Sequence, residues 1–131
     1  MWMLDTGTCV YILRERPVTV RQRLERIASG EVVISAIVLS ELYFGAARKP
    51  EFPQWRVDVE DFASRLTVLA WNEAAAIEYG TIRAYLEKKG KAPGSMDMLI
   101  AAHARSIGAT LVTNNSRHFS MIPDLRLENW I

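Results

Sequence analysis

Short apolar runs rich in β-branched residues alternate with longer stretches of helical periodicity along this 131-residue chain, and no other feature restricts its fold as much. The opening MWMLD is an apolar run that ends in an acid. The DTGT turn then leads into CVYILRER, which has helical character. Pro17 separates off a second helical stretch, Val18 to Ala28, closed by Ser29 and Gly30. Val32 to Ile34 read as a strand, with Ser35 placed to cap a helix over Ala36 to Lys49. After Pro50 and Pro53, Trp55, Val59, Phe62 and Leu66 keep helical spacing, and Thr67 to Trp71 read as a third strand. Asn72 caps a helix that runs through Ile77 and Ile82 toward Leu86 before KKGKAPGS ends it, and Ser95 is placed to cap the next one, which stops at Gly108. Ala109 to Thr113 read as a buried strand, NNSRHF as a turn with a short helix, and Leu125 to Leu127 as a last short strand. Strands and helices in this order predict a three-layer α/β/α fold, a short and mainly parallel sheet covered by helices, because right-handed crossovers permit little else.

Composition narrows the class further. With 50% hydrophobic and 24% charged residues, the 131 positions read as one domain, 1–131, able to bury roughly two-thirds of its unfolded surface. A metal is therefore not needed to hold the fold, and any metal serves function. Cys9 is the only cysteine, and no charged segment followed by an apolar one opens the sequence, so the expected setting is cytoplasmic. Charged residues interrupt every apolar run short of the ~20 residues a membrane-spanning helix requires, so no membrane role is expected. A formal net charge of +1 gives no global sign of a nucleic-acid partner. Basic residues cluster locally, at Arg14, Arg16, Arg21, Arg23 and Arg26, at Arg48 with Lys49, and at Lys88, Lys89 and Lys91; solvated helix faces explain such runs equally well.

Three acids stand where a parallel α/β fold gathers ligands, at the carboxyl ends of its strands. Asp5 directly follows the first strand, where it is either a helix cap or a ligand. Glu41 interrupts an apolar helix surface, with Ile37, Val38, Phe44 and Gly45 as its helical neighbours, and needs an arginine or a metal as partner. Asp97 lies in a first helical turn, where the helix dipole alone offers a carboxylate about 0.3–1 kcal/mol. Each acid has a structural explanation; their common position at one sheet edge favours a site. Asp58, Glu60 and Asp61 read as solvent-face residues. Clustered carboxylates repel one another, and a hard cation such as Mg²⁺, with Mn²⁺ as the alternative, resolves the conflict while leaving room for water and phosphate. His103 and His118 read as structural, Cys9 as a small buried thiol, and the four tryptophans as core or interface rather than base-stacking platforms.

The segments MLDTGTCV, VVISAIVLSELYFGA, PGSMDMLIAAHARSIGATLVTNN and LRLENW resemble the PIN-domain toxins called VapC, and the likeness spans nearly the whole chain. That resemblance implies a PIN-like fold and a Mg²⁺-dependent endoribonuclease held inactive by a VapB-type antitoxin. It further implies toxin dimers within the complex and operator DNA bound only through the antitoxin. The family's acids fall on Asp5, Glu41 and Asp97, as catalytic residues and metal ligands, with Thr6, Thr113 and Asn115 in supporting places. Gly7 stands where the family more often has a polar residue, and Asn115 where many members carry a fourth acid. LVTNN and ENW look most like the branch that cuts transfer RNA, including initiator tRNA in its anticodon stem-loop. The expected reaction is in-line attack by water that breaks the P–O3′ bond and leaves a 5′-phosphate. The alternative is a catalytically silent module acting with its antitoxin in operon autoregulation. A phosphorylation receiver is disfavoured, because Asn72 and Glu73, not an aspartate, follow the mid-chain strand.

Overall fold

The computed structural model describes residues 1–15, 17–27, 30–91 and 94–131. In chain order the described elements are β1 (Trp2–Leu4), α1 (Thr6–Arg14), α2 (Val18–Glu25), β2 (Val32–Ser35), α3 (Ala36–Ala47), α4 (Pro53–Ser64), β3 (Thr67–Leu69), α5 (Glu73–Lys88), α6 (Ser95–Ser106), β4 (Thr110–Val112), α7 (Ser116–Phe119) and β5 (Leu127–Glu128). The strands form one sheet in the order β3-β2-β1-β4-β5, and every neighbouring pair is parallel. A wholly parallel sheet is covered on both faces, which is why its central strands read as unbroken apolar runs. Met3, Leu4, Ile34, Leu111 and Val112 are fully buried and form the middle of the core, with Val38, Ile82, Ile100 and Phe119 packed from the helices.

The strand order reverses direction between β1 and β4. Right-handed crossovers put α1 to α4 on one face and α5 to α7 on the other, so the crevice between the ends of β1 and β4 is the topological switch point. Ser35 and Asn72 cap α3 and α5 as expected, accepting from the amides of Ile37 and Ala75. Ser95 does not cap α6. Gly94 holds the cap position, no side chain accepts there, and Ser95 is the first helical residue. β3 stops at Leu69, short of Trp71, whose indole donates instead to the Leu99 carbonyl. The last strand lies at Leu127–Glu128 rather than Leu125–Leu127, because Asp124 takes a left-handed conformation (φ 59°) and delays the return to the sheet. α2 ends at Glu25; Ala28 and Ser29, expected at its close, and Arg16 of the basic cluster lie outside the described residues. Among the described residues no helix is long and apolar enough to cross a membrane.

Candidate active site

Asp5 leaves β1 at the switch point. Its amide donates to the carbonyl of Val112, the last residue of β4, at 3.0 Å. Its Oδ1 accepts from the Thr8 amide at 2.8 Å, making Asp5 the N-cap of α1, and the Thr8 hydroxyl donates to the same Val112 carbonyl at 3.1 Å. The cap reading of Asp5 is met: one oxygen holds the helix, and among the described residues no side-chain or cap hydrogen bond engages the other. Gly7 permits this close junction. A Cβ there would lie 3.2 Å from Asn114 Oδ1 and 3.8 Å from Asp5 Oδ1, so the loop after β4 sits against the first turn of α1.

Asp97, in the first turn of α6, meets Asp5 across that junction. Burial pushes its carboxyl up from the ordinary value, the charge on Asp5 pushes it further, and His118 opposes both. His118 Nδ1 lies 3.0 Å from Asp97 Oδ2 and 3.1 Å from the side-chain amide of Asn115. A proton on Nδ1 lets the ring donate to the carboxylate, whereas a bare Nδ1 accepts from the Asn115 Nδ2–H, so the tautomer decides which neighbour the ring serves. Asn115 is fixed in turn by its backbone amide, which donates to the Thr113 hydroxyl at 2.9 Å, and Thr113 is fully buried. A connected path thus runs Thr113, Asn115, His118, Asp97.

Glu41 stands a little apart. Among the described residues no arginine pairs with it; the Thr6 hydroxyl donates to Oε1 at 2.5 Å. Thr6 follows Asp5, so Glu41 is joined to the site through the start of α1. Among the described residues no three His, Cys, Asp or Glu side chains converge closely enough to hold a metal ion jointly. Asp5 and Asp97 are brought within electrostatic reach of each other, and Glu41 is linked through Thr6. The donor chemistry nevertheless suits Mg²⁺, which commonly takes one or two protein carboxylates and completes its shell with water and phosphate.

His118 is the residue that sequence reasoning assigned to structure and the fold brings to the site. Its only sequence signal is its place three residues after Asn115, one helical turn on. His103 is structural as expected: it is buried with Nδ1 2.7 Å from Ser35 Oγ, and burial lowers its pKa. Cys9 is a buried thiol whose pKa is raised first by burial and then by Asp5. Glu60 and Asp61 are exposed and pair with Arg56 of α4 and with Arg65, its C-cap, at 2.8 and 3.2 Å, whereas Asp58, expected on the same solvent face, is half-buried.

Fold and site define a doubly wound α/β protein with acids at the switch point of a parallel sheet. The PIN domain family model matches residues 2–125, and the chain belongs to that family, in its VapC group. It is 44% identical over 131 residues to ribonuclease VapC2 of Haemophilus influenzae, spanning 99% of this chain and 98% of the relative. It is 42% identical over 130 residues to the tRNA(fMet)-specific endonuclease VapC of Shigella flexneri, spanning 98% and 97%. Among solved structures it superposes with a TM-score of 0.93 on VapBC2 from Rickettsia felis bound to a DNA fragment from its promoter, at 40% identity over 99% of this chain and 98% of the other.

Proposed function

We propose that this chain is an endoribonuclease toxin that uses Mg²⁺ at the switch point and is neutralised by a VapB-type antitoxin. The observation that carries the proposal is the approach of Asp5 and Asp97 from remote segments to one edge of the sheet, where the charge on Asp5 raises the cost of charge on Asp97 unless a cation intervenes. Asp5 and Asp97 would hold the ion, with Glu41 contributing from beside them. The ion supplies Lewis-acid stabilisation of phosphate charge and activation of water. The protein's own part is prior arrangement. The Thr8 amide fixes Asp5, His118 steadies Asp97, and Thr6 orients Glu41 by donating to its Oε1. Thr113 and Asn115 brace His118 from the end of β4.

The relatives named for cutting tRNA(fMet) make initiator tRNA the first substrate to try, and the promoter-bound VapBC2 complex supports an antitoxin that carries the toxin to operator DNA. Toxin dimers within that complex and a cytoplasmic setting complete the proposal. The decisive experiment incubates the free protein with total cellular RNA and Mg²⁺ and sequences the new 5′ ends. The expected products carry a 5′-phosphate and a 3′-hydroxyl; a 2′,3′-cyclic phosphate contradicts attack by water. A purified tRNA panel then tests the target, and uncut initiator tRNA alongside cut RNA of another kind removes it. Protein that binds its antitoxin and cuts nothing in Mg²⁺ is instead a silent regulatory module.

A further inference from the structure

A cavity of about 530 Å³ opens beside Glu41 between α1, α3 and the start of α4, and it has a composition that the proposed chemistry does not use. Thr6 and Glu41 line one side of it. Phe44 and Phe52 line it too, and they remain 61% and 60% exposed, an unfavourable display for two large apolar rings on one face. The Arg48 guanidinium lies 4.8 Å from the centroid of the Phe44 ring, a cation–π contact that steadies a plane of aromatic and guanidinium surface. Arg14, Arg48 and Lys49 are the cations of the lining, and Glu41 is its one acid. Among the described residues none of the three cations is engaged in an ion pair.

We propose that this cavity is a base-stacking subsite for an unpaired nucleotide of single-stranded RNA next to the cleaved bond, with Phe44 as the stacking surface and Arg14, Arg48 and Lys49 as phosphate contacts. The inference rests on the reading of this chain as an RNA-cutting protein. Proteins recognise RNA mainly through unstacked bases laid on aromatic or guanidinium planes, with cations along the backbone, and both elements stand here against Glu41. Charge selects this cavity. A second one of about 520 Å³, between α1, α2 and α4, is lined by Glu15, Glu25, Asp58 and Asp61 against Arg21 and Arg65. Both of those arginines are paired, to Glu15 at 2.9 Å and to Asp61 at 3.2 Å, so that surface repels a polyanion. Of the two cavities, the one beside Glu41 is the one whose lining cations form no ion pair among the described residues, which also gives a role to Arg14 and to the Arg48–Lys49 pair.

The test uses the full chain and a short RNA oligomer carrying 2-aminopurine, whose fluorescence falls when the base stacks, in chelator so that binding is read without turnover. Wild-type protein should bind and quench. Phe44→Leu keeps an apolar side chain but removes the π-face and should weaken binding about 5- to 150-fold with loss of quenching, while Phe44→Trp restores both. Arg48→Gln and Lys49→Gln should each lower the slope of log affinity against log salt by about 0.7. Wild type without quenching overturns the proposal, as does Phe44→Leu that binds and quenches like wild type. The same holds if the Phe44 variants lose only a VapB-type antitoxin and keep RNA, since the groove is then a protein dock. Wild type that stacks RNA but never cuts it in Mg²⁺ supports the subsite and sinks the nuclease reading. Cutting with a Phe44→Leu KM and quench like wild type does the reverse.

Discussion

Replacing Asp5 by asparagine separates the chemistry of the site from the folding of the chain. Asparagine and aspartate rank together as helix N-caps, so an amide oxygen can still accept from the Thr8 amide, now 2.8 Å from Oδ1. What disappears is a negative charge. Its loss forfeits an attraction to the α1 dipole of about 0.3–1 kcal/mol. It also removes the repulsion that helps to raise Asp97, and that gain offsets part of the loss. The net destabilisation should stay below about 1 kcal/mol. With an unfolding entropy of about 2.1 cal/mol/K per residue over 131 residues, that is a fall in Tm of at most roughly 4 °C. Asp5→Ala loses the cap as well and should cost about 0.5–2 kcal/mol for that loss alone. Cleavage should fall far more than stability in both variants. Changing residues that merely support metal ligands typically costs about 10- to 100-fold, so a residue that holds the ion should cost at least roughly 100-fold. Circular dichroism melting and single-turnover cleavage in Mg²⁺ measure the two effects on the same preparation. Asp5→Asn that melts like wild type and cuts within about threefold of its rate would refute the assignment of Asp5 to the site.

Three further outcomes follow from the same geometry. Thr6→Val removes the hydroxyl that Glu41 accepts from and should slow cleavage roughly tenfold or more with a stability loss near 1 kcal/mol; an unchanged rate takes Thr6 out of the mechanism. Chelator should abolish cutting, and Mg²⁺ at ten times its Kd should stabilise wild type by about 1.4 kcal/mol but leave the melting of Asp97→Asn unmoved; equal shifts in both would place the ion elsewhere. His103, held neutral by burial, has a folded pKa below its unfolded value of about 6.5, so the folded state resists the proton that the unfolded state accepts. Its contribution to stability is complete above about pH 6.5 and declines as pH falls toward the lowered folded value. NMR titration of the imidazole should give a midpoint below that of a free histidine, and one at or above it contradicts the burial argument.

Much of the architecture was legible because it depends on local periodicity. Val32 to Ile34 have the unbroken apolar character of a strand covered on both faces, Leu111 and Val112 carry the same signal within β4, and Ser35 and Asn72 carry side-chain oxygens at positions where the helix needs an acceptor. Ser95 carries the same signal and fails to cap because Gly94 takes the preceding position; short-range pattern does not distinguish a cap from the residue after it. The final strand was displaced by a single left-handed residue, Asp124, which alternation does not reveal. Within the site, Asp5 and Asp97 were readable from their places after a strand and at a helix start. Glu41 was readable as a polar intrusion on an apolar face, but its partner was not, since Thr6 lies 35 residues away and is uncharged. His118 was illegible for a similar reason. Only the folded chain puts its ring against Asp97, 21 residues earlier in sequence, and a histidine in a polar turn gives no sign of it in the sequence.

The central position of β1 has a kinetic corollary. Trp2 pairs with Val32 on one side and with Thr110 on the other, so the chain must close one short loop and one spanning most of its length before the strand is enclosed. Asp5 gains its Val112 acceptor only with the second closure. Non-local parallel pairing is slow to form, and a partly folded chain lacks the junction on which the site stands. The order of assembly thus acts as a safety catch: a chain able to damage the RNA of its own cell would be harmless until its long-range topology is complete, and any destabilisation that opens β4 from β1 would disarm it before it unfolds.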